Sequence, residues 1–548
     1  MAIEAGNTRS GLSKSRYYYL LIGIFLLAEL IILPIDNFPL NDDWVYGKTL
    51  RDVFLGRDFN LGTSNCTLWT QVMWGLFFTK IFGFSFAVLR LSTLVSSFIG
   101  ITLLFKIILH LTKNGKLAFL SGFVLLFNPL YFNLSNTFMT DVHFSALLIT
   151  CCFFAYKFYE TKNLFYMILL MLSSLFLVLI RQFGIIVPLC FTFSCFFLKE
   201  NKLKYLLYAF ALTALVFLGF KYYEHFIQVN GRGEYYPFSS KFSLLEAEFW
   251  TMFWANFKFR YGHIITQIAV FTLPVIIVYL IHILKTTKWI VTGVCGLFGI
   301  ALTYLFADVS FPLGNIFVNM NLGAETFYEW LNPDIRPEHG HTYSHNFGSI
   351  MHWVKLGSLT VFFTTFFLIL VKLRKKVSNL RTVLLAEHVL IVTLILCYVF
   401  LLVVAEGFFD RYHIPLFVLI IIAAAYLSRS IDFSITLAFL WVIPLFYVSV
   451  FGTKDYFELN RKRWEAYNYL RFQEGIPSYK INAGYEVDDW NDGYFQVFYK
   501  GTFVHDVDYL IEYLQVPDFK VYKEYEFQRY FPYKRDKIFI FARVDKLK

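Results

Sequence analysis

The feature that most constrains this chain is a succession of apolar runs, each near the length of a membrane crossing, separated by short loops where Lys and Arg collect. A helix rises about 1.5 Å per residue, so roughly 20 apolar residues cross the ~30 Å hydrocarbon core. Lipid offers the backbone no hydrogen-bond partner, so runs of this kind must close their own bonds as helices. Composition agrees: 57% of the residues are hydrophobic and only 16% are charged, against about 25% charged in a soluble domain.

Taken in order, the runs predict about thirteen spans: 17–35, 86–110, 117–133, 142–157, 163–180, 183–198, 204–222, 263–284, 289–307, 350–371, 382–404, 413–428 and 433–451. The short loops rich in Lys and Arg then all fall on one side. Their basic residues include Arg9, Lys14 and Arg16, then Lys113 and Lys116, Lys157 and Lys162, Lys285 and Lys288, and the cluster Lys372 to Arg381. The excess of positive charge marks that side, and the N-terminus with it, as cytoplasmic. No small-residue cleavage site follows the first run, which reads as an uncleaved anchor. The longer connections 36–67, 223–262 and 308–349 are assigned to the outer side.

The thirteenth run exits outward, and beyond it charged residues become frequent. A helix is predicted over 461–474 and strands over 481–484 and 537–544. The expected fold is therefore mainly α: a polytopic helix bundle over 1–451, with a small extracytoplasmic α/β domain over 452–548. The net charge of +10 is accounted for by topology and anionic lipid headgroups; no nucleic-acid motif is present. Six of the seven cysteines lie in apolar runs and Cys66 lies in the first outer loop, a spacing that fits neither a disulfide framework nor a zinc site.

Within this frame one stretch is chemically unusual. Ile35–Asp52 packs Asp42 and Asp43 beside Trp44 directly after the first span. Adjacent carboxylates repel, and partial burial raises at least one pKa, which suits a general base. The competing reading is a cap from Asn41 or Asp42 on a surface helix over 44–56. The segment 68–84, interrupted by Thr70, Gln71 and Lys80, reads as re-entrant or interfacial.

Other polar residues fall at the same membrane boundary: Asp141, Arg181 with Gln182, Asp308, and Asp410-Arg411-Tyr412. Arginine suits a phosphate, while Asp141 either caps its helix or binds a substrate hydroxyl or a divalent cation. No cofactor is required, and a divalent cation is the one candidate. His339, His341 and His345 form a second possible metal cluster within a polar loop. Glu29 and the Glu387-His388 pair are ionisable residues inside spans.

The ordered segments NDDWVYGKTLRD, FGFSFAVLRLSTL, FNPLYFNLSNTFMTDVHF, IRQFGIIVPL, FDRYHIPL and RWEAYNYLRFQEGIPSYKINAGYEVDDW resemble the GT-C membrane glycosyltransferases. They are most similar to the bacterial glycosyltransferase family 39 branch of protein O-mannosyltransferases and aminoarabinose transferases. The resemblance implies a polyprenyl-phosphate-linked sugar donor and an acceptor hydroxyl on a glycan, lipid or protein. It also implies a bacterial plasma-membrane location and an acidic first loop bearing the base. By position the base falls on Asp42 or Asp43 and the second-loop carboxylate on Asp141; the residues at the same boundary, Trp44, Arg181, Gln182, Arg411 and Tyr412, are the further candidates for holding the substrate. The alternatives from other classes are a transporter or flippase, which would place ionisable groups at mid-bilayer on broken repeats, and a polysaccharide polymerase or ligase of envelope glycolipids.

Overall fold

The computed structural model describes residues 2–62, 64, 66–232, 247–309, 311–312, 315–320, 345–374, 385–405, 408–427, 435–491, 507–512 and 518–546. In chain order the helices are α1 (Ala2–Ile32), α2 (Asp43–Phe54), α3 (Trp69–Phe82), α4 (Phe86–Thr112), α5 (Gly115–Leu126), α6 (Pro129–Ser135), α7 (Thr140–Thr161), α8 (Leu164–Val178), α9 (Ile186–Cys195) and α10 (Lys202–Val229). They continue as α11 (Ala247–Phe271), α12 (Leu273–Lys285), α13 (Trp289–Leu305), α14 (Ile316–Asn319), α15 (His345–Arg374), α16 (Ala386–Val404), α17 (Ile414–Leu427), α18 (Ile435–Asn468) and α19 (Tyr485–Trp490). The strands are β1 (Ile481–Asn482), β2 (Tyr509–Glu512), β3 (Phe519–Tyr530) and β4 (Tyr533–Arg543).

The protein is an integral membrane protein, mainly α, with a small C-terminal sheet. Where it is described, each predicted span falls largely on helix. Among the described residues seven helices are long and apolar enough to cross a membrane, or up to nine if each of two bent pairs is one span. Proline causes both bends, because its missing N–H breaks the helical ladder. Pro129 opens α6, which turns 69° from α5, and Asn128 caps the new start by accepting from Leu130 N at 3.0 Å. Pro274 lies in the first turn of α12, which turns 75° from α11.

The segment 68–84 is a single helix, α3, and the predicted surface helix is α2. The connection 223–262, where described, carries the end of α10, which runs on to Val229, and the start of α11 at Ala247. One expectation needs correction. The helix over 461–474 is not a separate element: α18 passes unbroken from the last apolar run to Asn468 and ends in a π turn, Tyr469–Gln473.

At the C-terminus the strand order is β1-β2-β4-β3, with β1 parallel to β2 and the other pairs antiparallel. Alternation along β4 turns Ile538 and Ile540 inward against Ala466, Tyr467 and Leu470 of the α18 end. The β3–β4 turn is tied to α18 by Asp455, whose carboxylate accepts from Tyr530 N at 2.7 Å and Phe531 N at 2.8 Å.

The loop leaving α1 is held from two sides. Arg461 of α18 donates to Asp36 Oδ2 at 3.0 Å and to the Leu33 carbonyl at 2.8 Å. Arg90, fully buried in α4, donates to the Asp36 carbonyl at 2.6 Å and also to the Phe38 carbonyl. A charged group inside a span needs such partners, and here they fix the path of the chain into Asp42. Farther along α4, Gly100 lets α7 approach: a Cβ there would lie 3.2 Å from Ala146 Cα, the close backbone packing that small residues permit between spans.

Candidate active site

The first loop reaches its acidic pair through Asn41, whose backbone is left-handed (φ 52°), a conformation Asn tolerates better than most residues. Asp42 occupies the N-cap position of α2, yet its side chain makes no capping hydrogen bond. It pairs instead with Arg411, Nη2 to Oδ2 at 2.9 Å, with side chains 9% exposed for Arg411 and 27% for Asp42. Asp43 is different. It is fully buried and accepts from Leu40 N at 3.3 Å and Phe138 N at 2.8 Å, which ties the first loop to the residues leading into α7. Burial pushes the Asp43 carboxyl up to about 8, against the opposing pull of the Arg90 guanidinium and of the Phe138 and Leu40 N–H groups. The adjacent aspartates thus have separate environments.

A second ion pair lies beside the first. Arg181, in the bend between α8 and α9, sets Nη2 at 2.9 Å from Asp141 Oδ1 and donates Nε to Thr140 Oγ1 at 2.7 Å. Both side chains are almost fully buried. Tyr412 links the two pairs: its ring centre is 5.0 Å from the Arg181 guanidinium and 5.7 Å from that of Arg411, within cation–π range. The Tyr412 carbonyl accepts from Tyr398 OH at 3.2 Å. Asp410 is fully buried, and its carboxylate accepts from Arg411 N at 2.6 Å and Phe317 N at 3.0 Å, fastening the turn that carries Arg411.

The structure therefore gathers Asp42, Asp141, Arg181, Arg411 and Tyr412 from four parts of the chain to one end of the bundle, where α2, α7, α9 and α17 begin. Each arginine is matched by one carboxylate, but a guanidinium has five donors. Arg411 Nε is buried without an acceptor among the described residues, as is Asp141 Oδ2 without a donor. The cluster has the donors for an anion and a half-exposed carboxylate beside them.

Other expected residues are placed less directly. Trp44 is buried on α2, its ring 5.3 Å from Lys48 Nζ. Gln182 is half-buried in the turn after Arg181. Asp308 is exposed and neighbours Lys355 rather than this cluster. Glu29 accepts from Asn136 Nδ2 at 3.4 Å, and the His388 ring lies 4.4 Å from that of Tyr426. The loop with His339 and His341 lies outside the described residues, as does the side chain of His345. Among the described residues no group of three or more His, Cys, Asp or Glu is arranged to hold a metal.

Sequence reasoning passed over several neighbours. Tyr46 and Cys66 lie in electrostatic reach of Asp42, Arg181 and Arg411. Tyr46 had a signal, one helical turn beyond Asp43; Cys66 had none. Arg90 carried the clearest one, a lone arginine inside an apolar run.

Residues 72–223, from α3 to α10, match the model of the family described as dolichyl-phosphate-mannose-protein mannosyltransferase. No curated protein matches the chain. The structure is similar to that of ArnT from Cupriavidus metallidurans bound to undecaprenyl phosphate, at 10% identity and a TM-score of 0.40, covering 97% of this chain and 98% of that one. It is also similar to the archaeal oligosaccharyltransferase AglB from Archaeoglobus fulgidus in complex with an inhibitory peptide and a dolichol-phosphate, at 11% identity and a TM-score of 0.41, covering 90% of this chain and 69% of that one.

Proposed function

We propose that this chain is an inverting glycosyltransferase of the bacterial plasma membrane, moving a sugar from a polyprenyl-phosphate donor to an acceptor hydroxyl at the outer face. The observation that carries the reading is the pair of ion pairs about Tyr412: Asp42–Arg411 and Asp141–Arg181, each at 2.9 Å. The family description of residues 72–223 supports a lipid-phosphate sugar as donor.

In this reading Asp42 is the base. Its carboxylate is partly open, and Arg411 orients it through one oxygen. It removes the proton of the acceptor hydroxyl as that oxygen attacks the anomeric carbon. The bond from that carbon to the phosphate oxygen breaks on the opposite face, and the electron pair leaves with the lipid phosphate. Arg181 and Arg411 stabilise the negative charge that develops there. Asp141 holds Arg181 in place, and Asp43 holds the first loop through the Phe138 N–H. The polar groups gather at one end of the bundle rather than at mid-depth, which favours transfer chemistry over a transport path.

The test is sugar transfer by the purified protein in nanodiscs, using undecaprenyl phosphates carrying different labelled sugars and a mixed envelope glycolipid and peptide acceptor pool. A labelled product with anomeric configuration opposite to the donor is expected. Absence of transfer from every donor, with the lipid still bound, would sink the proposal.

A further inference from the structure

A second polar cluster sits behind the first, and the ion-pair site does not use it. On α11, His263, Thr266 and Gln267 are fully buried, as are His413, just before α17 and in electrostatic reach of His263, and Ser358 of α15, one turn beyond Lys355. Both ring nitrogens of His263, both amide atoms of Gln267, Thr266 Oγ1, Ser358 Oγ and His413 Nε2 have no hydrogen-bond partner among the described residues. Buried polar atoms are almost always bonded, and more strictly so inside a membrane. So many together, on three elements, point to a polar occupant.

The cluster is contiguous. His263 lies within electrostatic reach of His413 and Lys355. The ring of Phe408 bridges the two histidines, 6.2 Å from His263 and 5.2 Å from His413. Gln267 follows His263 by one helical turn on the same face. The cluster adjoins the ion-pair site, since His413 is two residues beyond Arg411.

The chemistry of the lining selects the occupant. The open atoms belong to amide, imidazole and hydroxyl groups, a mixture of donors and acceptors. His413 Nδ1 engages the Asp410 carbonyl at 2.9 Å, which makes Nε2 the acceptor. The neighbouring cations are engaged with backbone carbonyls: Arg260 Nη1 with Val403 at 2.9 Å, and Lys355 Nζ with Ala307 at 2.6 Å and Val309 at 2.7 Å. An anion is therefore not what these atoms seek. Hydroxyl groups both donate and accept, and an aromatic wall suits the apolar face of a sugar ring. We infer that the cluster of His263, Gln267, His413 and Phe408 binds the sugar of the lipid-linked donor. This rests on the proposed function and adds to it the subsite that reads the sugar.

The experiment compares the full-length protein with Gln267→Leu and the near-isosteric Thr266→Val, in nanodiscs, by binding of two probes. One is bare undecaprenyl phosphate. The other is a panel of undecaprenyl phosphates bearing mannose, glucose or aminoarabinose. Thermal unfolding without lipid confirms folding and is expected to be unchanged or raised, since an unpaired buried group is removed. The wild type is expected to prefer one glycosylated lipid over the bare one. Gln267→Leu is expected to lose that preference by tenfold or more and to bind the bare lipid as before, with Thr266→Val showing a smaller loss in the same direction. Variants that keep the full preference, or lose both lipids equally, overturn the inference while leaving the transferase reading standing. A wild type that binds no polyprenyl phosphate removes both.

Discussion

Asp43→Asn tests the burial of the first loop, because Asp43 is the carboxyl outside the spans that burial displaces furthest. In the folded chain it titrates at about 8, against an ordinary value of 3.8. Between those values the folded state holds a proton that the unfolded chain has released. Stability must therefore fall as pH rises through this window, and the contribution is fully present only at the acid end. Roughly four pH units at about 1.4 kcal/mol each set an upper scale on the order of 5 kcal/mol, a large part of the stability of most domains. Asparagine carries no such proton, while its side-chain oxygen can still accept from Phe138 N. The gap between the melting temperature of Asp43→Asn and that of the wild type, measured in detergent, is thus expected to be small at pH 5 and to widen by several degrees by pH 8.5. A gap that stays constant from pH 5 to 8.5 would refute the claim that Asp43 is dry and proton-bearing.

Three further outcomes follow from the same geometry. Arg411→Lys keeps the charge but loses the guanidinium fork; transfer is expected to fall about 10- to 100-fold in steady-state assays, roughly 1.4 to 3 kcal/mol, with Arg181→Lys comparable. Asp141→Asn leaves Arg181 without its buried counter-charge and is expected to cost about 3 kcal/mol or more of stability, read as a lower melting temperature. Asp455→Ala removes the acceptor of a part-buried N–H group at 2.7 Å and a buried one at 2.8 Å; it is expected to loosen the β3–β4 turn by about 1–3 kcal/mol, seen as faster amide exchange at Tyr530 and Phe531.

Much of the architecture was legible because lipid makes simple demands. Apolar length and basic loops located the long apolar helices between Tyr17 and Phe451, and the alternation in KIFIFARV located β4. What could not be read were features set by tertiary contact. Nothing in 461–474 says that the preceding span runs straight into it, since a polar helix and an apolar one join without a local signal. The site was legible as a set of residues sharing one boundary but not as partners: that Asp42 meets Arg411 while Asp141 meets Arg181 depends on how α2, α7, α9 and α17 pack. Nor could adjacency in NDDW separate the two aspartates. The packed chain does so, turning Asp43 inward to Phe138 N and leaving Asp42 partly open beside Arg411. The buried polar atoms of His263 and Gln267 were hidden for the opposite reason, being single polar residues in a run that otherwise reads as apolar.

The most direct test of the central claim is single-turnover transfer by Asp42→Asn from a labelled polyprenyl-phosphate sugar, with binding of the same lipid measured in parallel. Loss of a general base predicts a rate reduced by about 10²- to 10⁴-fold, with lipid binding within a few-fold of the wild type because Arg181 and Arg411 remain. Transfer by Asp42→Asn at the wild-type rate would contradict the assignment of Asp42 as the base, and with it the account of the first loop.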